Sequence, residues 1–234
     1  MAHSYAGRID RCLQVCAGLA AQPGLAHVVG LCGMLYVLPV LARAEEAMAI
    51  AEETMAAARS HGNPFWIAWA LHGYGRAFAA SDSARALTAL RQGLSYAREH
   101  RLPFRESLVA RDAAGLEAVH GDLEQALALF ETTIDVLHRA GNVANVATTL
   151  ANLAVVFDRI QRPEIAATLY GTTTHHGSTR LVINLPGVVE HLRAVLGQTM
   201  FEDRVAVGAA MEPGDAVRYA RQQIQHARRQ LGVT

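Results

Sequence analysis

Histidine, aspartate and asparagine stand at His72, Asp112 and Asn152, each forty residues from the next, and a second such set stands two turns earlier at Phe65, Arg105 and Asn145. Trp69 lies between the first members of the two sets and Arg76 just beyond them. Side chains of these types at equivalent places in a repeating chain serve one of two ends. They line a shared groove and hold a peptide or an effector, or they hydrogen-bond from one repeat to the next. Both readings stand on the spacing alone. Trp66, Trp69 and Tyr74 divide in the same way between core and stacking platform, with core the better account of large rings at helical spacing.

Other chemistry is thin. All 21 basic residues are arginine. Without lysine there is no phosphate-binding P-loop, no Schiff base and no protein-kinase site. The formal net charge is zero, so no global field draws the chain to nucleic acid or to an anionic membrane. Cys12, Cys16 and Cys32 are odd in number and read as packed thiols. The first two are one helical turn apart, but no second pair of ligands completes a tetrahedral metal site. Neither metal nor cofactor is expected. Gly73-Tyr74-Gly75 lacks the third glycine and the preceding strand of a dinucleotide loop, and close helix packing explains it better. His175 and His176 are adjacent and point apart on a helix end. The pairs Glu45-Glu46 and Glu52-Glu53 read as a solvated helix face. Arg218, Arg221, Arg228 and Arg229 make the last helix basic, which we read as a solvated or interdomain helix end rather than a nucleic-acid contact.

The elements that must position these groups are helical. Hydrophobic residues make up 51% of the chain and aromatics only 6%, the balance being largely alanine and leucine. Such a composition favours closely packed helices. Arg101 to Ala140 is the clearest unit: a helix opened by Pro103, a turn at His120-Gly121-Asp122, then an amphipathic helix. In that second helix Leu123, Ala126, Leu127, Phe130, Ile134 and Leu137 share one face, and Glu124, Gln125, Glu131 and Asp135 the other. Ala86, Ala126 and Ala166 lie forty apart, as do Leu90, Phe130 and Tyr170. Four helix pairs follow, at 25–61, 62–100, 101–140 and 141–177, with a capping helix in 1–24 and capping helices in 178–234. Repeats of this length stack as antiparallel helix pairs, and the expected fold is an all-α superhelix, a right-handed helical-repeat solenoid with a concave surface. Arg180 to Pro186 reads as a linker, with closing helices at Val188 to Leu196, Thr199 to Ala209 and Asp215 to Leu231. Pro23 to Ala42 carries no Asp, Glu or Arg over a length that would just span a bilayer; its prolines, His27 and glycines favour a buried helix instead.

The placed units resemble the tetratricopeptide-like C-terminal arm of large LuxR-type ATPase regulators, including actinobacterial ones fused to cyclase domains. Gly121, Asp122, Ala126 and Phe130, with Leu150, Leu153 and Ala154 of the next unit, match the general tetratricopeptide pattern. The run from Leu192 to Ala220 is similar to the family's ending, through Leu196-Gly197, Phe201, Gly208 and Asp215-Ala216. The family's ATPase, cyclase and DNA-binding domains have no counterpart here. The resemblance implies a regulatory arm, whether a separate gene product, a remnant or a fragment. On this reading the chain is a cytoplasmic, noncatalytic protein-interaction module for signalling or transcription regulation. Its partner is a protein or peptide in the concave groove, such as a separate ATPase or cyclase regulator, with no direct contact to nucleic acid or membrane. The other expectation is a small-molecule sensor holding its effector in the same groove, near Trp69 and Arg105. The residues assigned to the groove are Phe65, Trp69, His72, Arg76, Arg105, Asp112, Asn145 and Asn152.

Overall fold

The computed structural model describes residues 9–177, 179, 182 and 185–232. Among the described residues it is all-helical, without a strand. Twelve α-helices follow in order: α1 (Ile9–Ala20), α2 (Leu25–Val37), α3 (Ala44–His61), α4 (Pro64–Phe78), α5 (Ser83–Glu99), α6 (Pro103–His120), α7 (Leu123–Arg139), α8 (Val143–Arg159), α9 (Pro163–Gly171), α10 (Leu185–Leu196), α11 (Gln198–Ala209) and α12 (Pro213–Leu231). The chain divides into two compact units, Met1–Leu116 and Glu117–Thr234, with the boundary inside α6.

Local chemistry sets the helix ends. Side-chain oxygens of Asn63, Asp82, Asp122 and Asn142 accept from backbone N–H groups in the first turns of α4, α5, α7 and α8, satisfying donors that have no partner within the helix. Proline opens α4, α6, α9 and α12, where its missing N–H costs nothing. Gly62 and Gly141 end α3 and α7 in the left-handed conformation. Arg101 and Gln161 take the same conformation after α5 and α8, at φ 53° and 61°.

In the first unit, α2 is the central element. It packs against α1, α3 and α4. Gly30 and Gly33 let α1 approach, since a Cβ at Gly30 would meet the Ala20 backbone and one at Gly33 the Cys16 sulfur. Cys12, Cys16 and Cys32 are free and buried, and burial pushes the Cys32 thiol up to about 12. The buried face of α1 runs through Cys12 and Cys16. Ile9, Leu13 and Ala20 of the same helix are half-buried. The span over Pro23 to Ala42 is broken: α2 ends at Val37 and a 3-10 turn covers Leu38–Leu41, because Pro39 cannot continue an α-helix. At 1.5 Å per residue its 13 residues reach about 20 Å, short of a bilayer's apolar core of about 30 Å. Among the described residues no helix is long and apolar enough to cross a membrane. Helix α4 then packs on α3 and α5. Gly73 and Gly75 are packing positions, since an added Cβ would lie 2.9 Å from Leu35 Cγ and 2.5 Å from Leu90 Cγ.

In the second unit α8 packs against α7, α9 and α10, and α11 crosses α9. Helix α12 lies along α7, burying Ala216, Val217, Ala220, Ile224 and Ala227. Arg218, Arg221 and Arg229 of this basic helix are exposed and Arg228 is half-buried. Arg228 donates to Glu124 at 2.6 Å and to Glu131 at 3.0 Å, Gln225 donates to Glu131 at 2.8 Å, and Arg221 lies 3.4 Å from Asp135. The acidic side of α7 is thus the rail on which α12 sits. The first closing helix begins at Leu185, three residues earlier than expected. Most of the expected linker, residues 180–181 and 183–184, lies outside the described residues, and Val182 is buried against Ala151 and Leu185.

Candidate functional site

Six of the eight residues assigned to the groove lie in the first unit, where they form two buried clusters on α4 and α6. Asp112 is the hub of the first. Its Oδ2 accepts from Arg76 Nη1 at 2.5 Å and from His72 Nε2 at 2.9 Å, and its Oδ1 from Arg111 Nε at 2.7 Å. Arg111 Nη2 reaches Tyr36 Oη on α2 at 3.1 Å. The Tyr36 ring carries the Arg76 guanidinium on its face, 4.4 Å from the centroid, and meets His72 edge-on at 5.2 Å. Each group is nearly excluded from water: His72 is 0% exposed, Arg111 1% and Arg76 6%.

Buried charge at this density persists only because it is paired. One carboxylate serves two guanidinium groups, and Tyr36 supplies an aromatic face to Arg76 and a hydroxyl to Arg111. Burial alone would raise the Asp112 carboxyl. The Arg111 and Arg76 guanidinium groups, with the His72 hydrogen bond, outweigh it and hold that carboxyl well below the usual carboxylate range. Burial drives His72 down to about 4, against the partial offset of its bond to Asp112. Neutral His72 donates through Nε2–H, leaving buried Nδ1 with a bare lone pair and no partner, a smaller penalty than an unmet N–H would be.

A pH dependence follows. The folded His72 titrates near 4 against 6.5 for the ordinary group, so between those values the unfolded chain binds more protons and stability is lost as the pH is lowered. Asp112 extends the loss below the ordinary carboxylate range, because it must be protonated when the chain unfolds in acid. The His72 contribution is about 3 kcal/mol between neutral pH and pH 4. Urea midpoints across that range are expected to drop more for the natural chain than for His72→Asn, and parallel curves would refute the assignment.

The second cluster is aromatic. Trp66 and Trp69 stack at 5.3 Å, and Phe65 stands edge-on to both. The Arg105 guanidinium lies over Trp69 at 4.0 Å and Phe65 at 4.8 Å, with the residue 2% exposed. The remaining two groove residues lie in the second unit. Asn145 is buried and its Nδ2 donates to Asn142 Oδ1 at 3.1 Å; half-buried Asn152 donates to the Thr148 carbonyl at 2.8 Å.

Of the two uses open to the polar row, the His72–Asp112 pair takes the helix-to-helix bond. Its two positions, forty residues apart, are joined directly. Tyr36 and Arg111 are members that the spacing does not pick out. Tyr36 had a signal, since a tyrosine inside an apolar run needs a partner for its hydroxyl; Arg111 had none. Among the described residues no group of three His, Cys, Asp or Glu side chains is placed to hold a metal ion. No protein-family model matches the chain, and no curated protein matches it either.

Proposed function

We propose that the chain is a noncatalytic binding module, a scaffold of tetratricopeptide-like helix pairs that serves a signalling or transcription-regulatory assembly by holding a protein or peptide partner. The observation that carries this reading is the joining of α4 to α6 by His72, Arg76 and Asp112. The groups best suited to acid-base chemistry are consumed in buried bonds between successive first helices, as neighbouring repeats of a scaffold require. The carboxylate is saturated and the imidazole is neutral and sealed from water, so neither is poised as a nucleophile or general base. The likeness to the C-terminal arm of LuxR-type regulators supports a partner of that class, a separate ATPase or cyclase chain.

The test is direct. The purified chain is assayed for ATP and GTP hydrolysis and for cyclase product, then titrated calorimetrically with the ATPase core of a LuxR-type regulator supplied as a separate protein. No turnover and a saturable complex are expected, weakened by Asn152→Arg at a half-buried position of the row. Nucleotide turnover by the chain alone would overturn the noncatalytic reading, and absence of the complex would remove that partner class.

A further inference from the structure

A groove lies on the other side of the first unit's helix pairs. It is bounded by α3 and α5, floored by Leu71 and Tyr74 of α4, and has a volume of about 400 Å³, within the range of small-ligand pockets of roughly 300–1,000 Å³. The start of α3 packs with the end of α4 and the start of α5, and the end of α3 with the start of α4 and Tyr96 of α5. Both walls therefore run in the same direction.

That register gives the groove two different ends. At one, Glu52 of α3 accepts from Tyr74 Oη at 2.6 Å and from Arg85 Nη2 of α5 at 2.7 Å. Arg85 also donates Nε to Tyr74 Oη at 2.8 Å and lies over the Phe78 ring at 3.9 Å. Every charge at this end is answered. The other end is two helical turns further along both walls, about 10 Å away at 1.5 Å per residue. Here stand Arg59 of α3 and Gln92 of α5, both exposed and both lining the groove. Arg59 makes no ion pair with any described residue. Between the ends the surface is Met55 and Leu71, with Ala89 and the methyl-bearing Thr88 on the α5 wall.

We propose that this groove binds a small amphipathic carboxylic acid, its carboxylate on Arg59 and Gln92 and its apolar body along Met55 and Leu71 toward the Tyr74 ring. Charge complementarity selects the occupant. The closed Glu52–Tyr74–Arg85 end offers neither a free cation nor a free carboxylate, and Arg59 is left as the anchor for one negative group. A ligand with a charge at each end does not fit this arrangement. The site lies apart from the buried row on α4 and α6, so its failure would leave the protein-interaction reading intact.

Sodium octanoate is the probe, with 1-octanol as its neutral match, titrated calorimetrically into the chain. Saturable octanoate binding is expected, with octanol weaker by up to about fivefold, the scale of one exposed ion pair. Arg59→Ala should bring octanoate down to the affinity of octanol. Thr88→Trp, an exposed position whose indole fills the groove, should abolish binding of both. Unchanged thermal midpoints confirm that each variant is folded. Failure of octanoate to bind at millimolar concentration overturns the proposal, as does octanoate affinity left unchanged by Arg59→Ala or binding that survives Thr88→Trp.

Discussion

Asp112→Asn is expected to destabilise the first unit by about 3–5 kcal/mol, the cost of leaving buried charge without its counterion. Arg76 and Arg111 would both lose the carboxylate, and Arg111 is 1% exposed, with Tyr36 Oη as its other hydrogen-bond partner. Neither guanidinium can shed its proton, so the strain has no chemical outlet. The chain's two tryptophans, Trp66 and Trp69, both lie on α4 beside this cluster, so their fluorescence reports the loss. The urea midpoint by tryptophan fluorescence should move to much lower denaturant. Glu46→Gln, which removes the partner of Arg43 in an exposed pair at 2.5 Å, should leave it where it was, because solvent screens that pair. Equal midpoints for Asp112→Asn and the natural chain would mean that water reaches the two arginines. Replacing the hub by apolar residues is a separate question. The joint substitution Arg76→Met with Asp112→Leu removes both buried charges of one bond and should recover part of the loss.

The same hub marks where reading residues in order stops. Helix ends were legible because their causes are local: Pro103 opens a helix where expected, and the expected turn at Gly121-Asp122 is where Asp122 caps α7. The buried face of α7 was legible too, since a period of 3.6 residues is itself a local property and Ala126, Leu127, Phe130, Ile134 and Leu137 are buried as placed. What covers the opposite face is not local. Glu124 and Glu131 meet Arg228 across 104 and 97 residues of chain, and charge alternation looks the same whether it faces solvent or a second helix. The row of His72 and Asp112 fell between these extremes. Its periodicity marked equivalent positions, but groove lining and helix-to-helix bonding demand the same residue types. Only burial and distance separate them. Arg85 likewise reads as an ordinary first-turn residue until Tyr74 and Glu52 are seen to converge on it from two other helices.

Gly208 carries the largest expected effect in the second unit, and it sets two physical terms against each other. Gly208→Ala in the interior of α11 gains about 1 kcal/mol of intrinsic helix propensity. Against this, the new Cβ would run into the carbonyl oxygen of Thr168, with Thr172 N at 2.9 Å and Gly171 Cα at 3.0 Å. These are backbone atoms of α9 and its cap, which cannot rotate away as a side-chain tip can. Gly171 is equally tight from the other side, where a Cβ would strike the Val205 carbonyl. The two glycines thus define a crossing at which the helix backbones touch, and α11 must lift off α9 to admit a methyl. Lifting exposes Phe201, now 3% accessible and stacked on Tyr170 at 6.3 Å. Overpacking of this kind costs about 3 kcal/mol, so packing outweighs propensity. Amide hydrogen exchange over α9 and α11 should accelerate. Gly18→Ala supplies the opposite sign: Gly18 is an exposed position in α1 with nothing within 4 Å of an added Cβ, so only the propensity gain remains, up to about 1 kcal/mol. Slower or unchanged exchange in Gly208→Ala would show that α11 does not bear on α9 at this crossing.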